Sequence, residues 1–213
     1  MWAILLKKRR GKLLKLVLAS TSPYRKSLLD RFGVSFSTVS PNVDETPLAD
    51  ESPEKLVCRL SEAKARAGAQ GRTGSLVIGS DQVAVLDGRI IGKPGTHERA
   101  IAQLKAASGR RLAYLTGLCL YNTDKQTVQL DIIPFAVHFR QLDQEIIERY
   151  LHQDQPYNCA GSFKSESLGV TLFERMEGDD PTALMGLPLI RLNEMLLNEG
   201  VNVIHMSSEV KTH

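Results

Sequence analysis

Asp81 follows closely on an apolar run, Leu76-Val77-Ile78, in the segment Gly79-Ser80-Asp81-Gln82-Val83. A carboxylate at the mouth of a buried strand contributes little to packing. It is well placed to take a proton or hold a cation. A second strand end lies upstream, where Leu16-Val17-Leu18-Ala19 runs into Ser20-Thr21-Ser22-Pro23-Tyr24-Arg25, and Lys93-Pro94 follows downstream. One carboxylate and several cations gathered at strand ends suggest a site that handles phosphate.

Each candidate also has a plainer reading. Arg25 lies in the first turn of a helix and shares a face with Leu28, Leu29 and Phe32. A charge on that face needs a partner, and a helix N-terminus favours anions. The partner is either a phosphate or a structural carboxylate. Lys64 stands four residues after Leu60, beside an apolar stripe, and its stem can snorkel to water. Lys93 follows Gly92, which permits close backbone approach, and can serve as a point charge on phosphate. Asp44-Glu45 falls in a proline-bounded loop. Glu45 with Asp81 would give an oxygen-only site for a hard divalent cation; otherwise the loop is solvated. The five histidines, His97, His138, His152, His205 and His213, have no transition-metal spacing, so Mg²⁺ or Mn²⁺ is the better match. Glu166 sits between Gly161 and Gly169 in a constrained or merely solvated loop.

Strands and helices must alternate to place these residues. Lys15–Ala19 reads as a buried strand, and Ser22-Pro23 caps the helix after it. Phe36–Ser40 reads as a strand, and Ser52-Pro53 opens a helix with Leu56, Leu60, Ala63 and Ala67 at helical spacing. Asp87-Gly88 between apolar flanks predicts a hairpin within Val83–Ile91. Thr96 caps a helix ending near Ser108-Gly109. Long strands are expected over Arg111–Tyr121 and Val128–Arg140, then helices over Leu142–His152 and Pro188–Asn198. The pattern predicts an α/β fold, a mixed twisted sheet with flanking helices, in two lobes around a central cleft.

Composition bounds the rest. The 213 residues are 42% apolar and 24% charged, with no apolar run near the roughly 18 residues that span a bilayer. The net charge of +3 comes from the N-terminus, where Lys7, Lys8, Arg9, Arg10, Lys12 and Lys15 meet no acidic residue. The remaining chain holds 21 basic against 24 acidic residues, which argues against a nucleic-acid-binding body. Residues 1–14 read as a disordered basic extension, as translation from an upstream start, or as a tail for an anionic surface. It is a poor signal peptide. Residues 15–204 form one domain, and 205–213 a disordered tail. Cys58, Cys119 and Cys159 fit neither a disulfide framework nor a zinc site, so reduced thiols and a cytoplasmic location are expected.

The segments Leu18-Ala19-Ser20-Thr21-Ser22-Pro23-Tyr24-Arg25, Val43-Asp44-Glu45, Glu62-Ala63-Lys64-Ala65, Gly79-Ser80-Asp81-Gln82-Val83, Gly92-Lys93-Pro94 and Gly161-Ser162-Phe163 occur in the order seen in the Maf family. The chain resembles these house-cleaning nucleoside triphosphate pyrophosphatases over about residues 15–204. The resemblance implies a two-lobed fold related to the inosine triphosphatases, usually a homodimer. It also implies a divalent metal and cleavage of a nucleoside triphosphate to monophosphate and diphosphate. Asp81 matches the proton acceptor. Ser20, Arg25, Lys64 and Lys93 match phosphate-facing positions, and Glu45 with Asp81 the metal ligands.

Tyr24, Gln82 and Glu166 resemble the branch acting on 7-methyl-GTP. The dTTP/UTP branch carries Arg, usually Thr, and Gln at these positions. Tyr24 departs from the usual Trp but stays aromatic. A cationic 7-methylguanine would gain about 0.5–2 kcal/mol from an aromatic face. Glu166 can accept two N–H groups of its Watson–Crick edge. Competing readings are a dTTP/UTP or inosine/xanthosine triphosphate pyrophosphatase, a nucleotide-binding regulator of septum formation, and a nucleic-acid binder acting through the basic N-terminus.

Overall fold

The computed structural model describes residues 6–7 and 13–206. Eight strands form one mixed sheet: β1 (Leu6–Lys7), β2 (Leu13–Ala19), β3 (Phe36–Val39), β4 (Ser75–Leu86), β5 (Arg89–Ile91), β6 (Arg111–Asn122), β7 (Thr127–Phe139) and β8 (Phe173–Glu177). Helices α1 (Pro23–Asp30), α2 (Pro53–Ala69), α3 (His97–Ala107), α4 (Gln144–Asp154), α5 (Leu189–Asn198) and α6 (Val203–Met206) flank it. Ser22 and Ser52 cap α1 and α2 with proline next in line, and Thr96 caps α3.

The first strand of the expected domain begins at Leu13, two residues before the sequence suggests, and pairs with Leu6–Lys7 from the extension expected to be disordered. Residues 1–5, 8–12 and 207–213 lie outside the described residues, so the expectation for those parts of the extension and tail is not addressed. At the other end, His205 and Met206 belong to α6.

Alternation along the strands sorts the side chains into two layers. Leu16, Leu18, Leu76, Ile78, Leu118 and Leu120 join the main core with residues of α1, α3, α4 and α5. Residues of opposite parity, among them Val17, Val77 and Val83, pack against α2. The side chains of β4 therefore face two environments: Gly79 and Asp81 share the α2 side with Val83, whereas Ser80 and Gln82 share the other side with Ile78.

The order β2–β4–β6–β7–β8 carries the architecture, with β2, β3 and β4 parallel and the later pairings antiparallel. On one edge β4 pairs with β6 without a break from Leu76 to Val85. On its other edge β2 reaches only Ile78, and β5 begins at Ala84. Between them Gly79–Val83 has no strand partner. Asp81 lies at the centre of that gap, where the sheet divides into two lobes around a cleft.

Candidate active site

Glycine fixes how α2 meets the gap. A Cβ on Gly79 would lie 2.1 Å from Ser61 O and 2.6 Å from Ala65 N. One on Gly117, the residue opposite Asp81 on β6, would lie 2.4 Å from Val57 O. The two glycines let the α2 backbone rest on the sheet. Ser61 Oγ then accepts a hydrogen bond from Asp81 N at 2.9 Å, satisfying an amide with no strand partner on that edge. One turn further along, Lys64 comes level with Asp81.

Lys64 Nζ donates to Asp81 Oδ1 at 2.6 Å and lies 2.6 Å from Glu45 Oε1. The lysine does not snorkel to water: its side chain is 6% exposed, and that of Asp81 12%. Lys64's hydrogen bond holds the Glu45 carboxyl below its usual range, with Arg25 and Lys93 acting in the same direction from further off.

Arg25 is positioned from outside its own helix. Its Nε donates to the carbonyl of Gly186 at 2.8 Å, and that oxygen also lies 2.9 Å from Ser80 Oγ. Burial pushes the guanidinium down from its usual range, opposed by Asp81 and Glu45. Gly186 ends the 3-10 turn Pro181–Met185 with a φ of 91°, where a side chain would be strained. Asp180 ties this turn to α5, accepting from Thr182 N, Thr182 Oγ1 and Ile190 N at 3.0, 2.6 and 2.8 Å.

Gln82 lines the cleft, but its amide nitrogen is committed to the same turn. It donates to Thr116 Oγ1 at 2.9 Å and to the carbonyl of Ala183 at 2.6 Å. Ser20 is buried at the end of β2, its hydroxyl accepting from Ser22 N at 3.1 Å. Lys93 is exposed beyond β5.

Tyr24, Cys159 and Glu166 cluster in the same cleft lining, with Tyr24 and Cys159 near each other. Burial, with Cys159 and Glu166 nearby, raises the phenol, and burial raises the Cys159 thiol. The Glu166 loop is tied down at several points. Ser162 takes a left-handed φ of 62°, and its hydroxyl donates to Gln103 Oε1 at 2.5 Å. Gln103 Nε2 donates to Gly92 O at 3.0 Å, joining this loop to the one carrying Lys93. Lys164 N donates to Tyr150 OH at 3.0 Å, and Ser167 Oγ to Asp154 Oδ1 at 2.7 Å.

All eight candidate residues of the sequence reading other than Gln82 (Ser20, Tyr24, Arg25, Glu45, Lys64, Asp81, Lys93 and Glu166) line one cleft of about 830 Å³, and Gln82 lines it too. Three cations and three carboxylates share its lining with the Tyr24 phenol. The sequence reading missed Ser61, Gly117, Gly186 and the Asp180 turn. For Ser61 a signal existed, a hydroxyl one turn before Lys64 on the packed side of its helix. For the turn, Asp180-Pro181-Thr182 is a side-chain-to-backbone turn signature.

The Maf-like protein family matches residues 15–199. The chain belongs to that family. Curated relatives resemble this Maf-like chain closely and almost end to end. A 7-methyl-GTP pyrophosphatase of Nitrosococcus oceani is 55% identical over 189 residues, covering 89% of this chain and 95% of that one. Its counterpart in Pseudomonas aeruginosa is 56% identical over 188 residues, covering 88% and 98%. Another in Vibrio vulnificus is 53% identical over 190 residues, covering 89% and 97%.

Among the described residues no group of three or more His, Cys, Asp or Glu is placed to hold an ion. Glu45 and Asp81 do converge on one cation, the Lys64 ammonium. Two carboxylates without nitrogen or sulfur ligands suit Mg²⁺ or Mn²⁺, which take their other oxygens from water and phosphate.

Proposed function

We propose that this Maf-like protein hydrolyses 7-methyl-GTP to 7-methyl-GMP and diphosphate, removing a modified nucleotide from the cell. The observation that carries the reading is the charge layout of one cleft. Arg25, Lys64 and Lys93 suit a triphosphate, and Tyr24 with Glu166 in the same lining suits a cationic purine.

The triphosphate lies along the cations, with Ser20 and the start of α1 at its flank. Tyr24 faces the positively charged base, and Glu166 accepts from its Watson–Crick edge. Gln82 contributes to selectivity by holding the Ala183–Gly186 turn with its amide nitrogen, not by offering that nitrogen to the base. Asp81 accepts a proton from the water whose oxygen attacks the α-phosphorus. The bond from that phosphorus to the β-phosphate oxygen breaks, and the diphosphate departs against Arg25, Lys64 and Lys93. Glu45 and Asp81 would hold a divalent cation, which lowers the pKa of bound water and neutralises leaving-group charge. The same family reading supports a homodimer in the cytoplasm. None of the described helices is long and apolar enough to cross a membrane.

The test is diphosphate release from 7-methyl-GTP, GTP, UTP, dTTP, CTP and ITP with Mg²⁺ or Mn²⁺. The expected result is preference for 7-methyl-GTP, with turnover cut by about 10²–10⁴-fold in Asp81→Asn, whose fold is retained. Preference for UTP or dTTP would overturn the roles of Tyr24 and Glu166. No hydrolysis at all would favour a nucleotide-binding regulator.

A further inference from the structure

We propose that Lys64 is a built-in counter-ion that keeps the Glu45–Asp81 pair from capturing a metal until a triphosphate draws the lysine away. The inference rests on the metal reading above and adds an order of events to it.

The ammonium stands between the two carboxylates, 2.6 Å from an oxygen of each. A divalent cation held by the same two oxygens would share their space with a positive charge. Capture therefore requires the lysine tip to leave. Its backbone cannot follow, because Gly79 and Gly117 seat α2 directly on the sheet and Ser61 binds the Asp81 amide. The movable parts are the four-carbon Lys64 stem and the Glu45 side chain, which is 63% exposed on its loop.

Charge and ligand count point the same way. Two carboxylates against the Lys64 ammonium, with Arg25 and Lys93 also acting on Glu45, leave no excess negative charge to attract a divalent ion. No third His, Cys, Asp or Glu joins them among the described residues. The arriving triphosphate changes both quantities. Its oxygens offer Lys64 another anionic partner and supply the ligands the protein lacks. Metal and triphosphate then promote one another's binding by the same factor, as linkage requires.

The experiment is Mn²⁺ titration of the metal-free full-length protein, followed by electron paramagnetic resonance, with no nucleotide present. Wild type is compared with Lys64→Met and Lys64→Gln, which remove the charge at similar length, and with each variant combined with Glu45→Gln. Circular dichroism identifies the variants that fold, and two neutral replacements guard against loss of one. The expected result is Mn²⁺ binding tighter in the neutral variants by on the order of ten- to a hundredfold, lost again on adding Glu45→Gln. Equal affinity in wild type and the neutral variants overturns the counter-ion role. If wild-type diphosphate release still requires a metal in that case, the metal reading survives without it. Tight binding indifferent to Glu45→Gln places the ion elsewhere and overturns both.

Discussion

Replacing Gly79 with alanine tests the contact that sets the active-site geometry. The added carbon would lie 2.1 Å from the Ser61 carbonyl, 2.6 Å from Ala65 N and 3.0 Å from Ala65 Cβ. Such contacts do not fall below 3.0 Å, so α2 must retreat by about 0.9 Å at its closest point. Two of the three obstructing atoms are backbone, and trimming a side chain of α2 offers no relief. Overpacking of this kind costs about 1–3 kcal/mol, and the rigid partner places Gly79→Ala near the upper end. A domain of ordinary stability, about 5–15 kcal/mol, survives that loss. Catalysis suffers more, because Lys64 and Ser61 move with the helix while Asp81 stays on its strand. A displacement near 1 Å costs on the order of 10²-fold in turnover. Urea denaturation gives the first number, and diphosphate release at saturating nucleotide gives the second. Stability within about 0.5 kcal/mol of wild type, together with unchanged turnover, would refute the claim that α2 is seated by glycine.

Other perturbations probe separate parts of the site. Asp180→Asn leaves buried N–H donors facing an amide and should destabilise by about 1–3 kcal/mol; with the Gly186 carbonyl loosened, KM for nucleotide should rise more than kcat falls. Steady-state kinetics at several substrate concentrations separates the two. Tyr24→Leu removes the aromatic face, so the preference for 7-methyl-GTP over GTP should drop by about 2- to 30-fold, measured as a ratio of kcat/KM values. Glu51 is held down to about 2, first by its hydrogen bond from Arg59 and also by the Leu48 amide. A depressed carboxyl contributes stability that is complete above its unfolded value of about 4.3 and vanishes as pH falls through the folded one. Wild type should therefore exceed Glu51→Gln in urea midpoint at pH 7, and the gap should narrow steadily from pH 4 towards pH 2.

The sequence was most readable where local chemistry and periodicity agree. Ser22-Pro23, Ser52-Pro53 and Thr96 locate three helix starts because a cap is a local event. Asp87-Gly88 locates the hairpin because both residues need positive φ, and they have 49° and 77°. Strand β8 escaped because Phe173 is the one buried residue among five; the polar run after it shows no strand alternation, yet Phe173, Arg175, Met176 and Glu177 pair along a sheet edge, the register shifting past Glu174. Within the site, Lys64 could not be assigned from spacing. Its partner Glu45 is 19 residues away in another loop, and only folding brings the two together. Gly79 and Gly117 likewise announce a close approach without saying to what. The Gly186 carbonyl was beyond reach, since a main-chain oxygen that aims Arg25 leaves no mark in residue type.

The interrupted edge of β4 separates the lasting part of this enzyme from its adaptable part. Asp81 is carried by a central strand laced to β6 from Leu76 to Val85, a region whose amides should exchange with solvent only on global unfolding. Tyr24, Glu45, Lys93 and Glu166 arrive at the same opening at helix starts and in loops, which can open locally. On the function proposed above, loop substitutions can retune which nucleobase is accepted while the strand that carries Asp81 remains as it was. Diversification of substrate and preservation of chemistry thus become independent events in the history of such a fold.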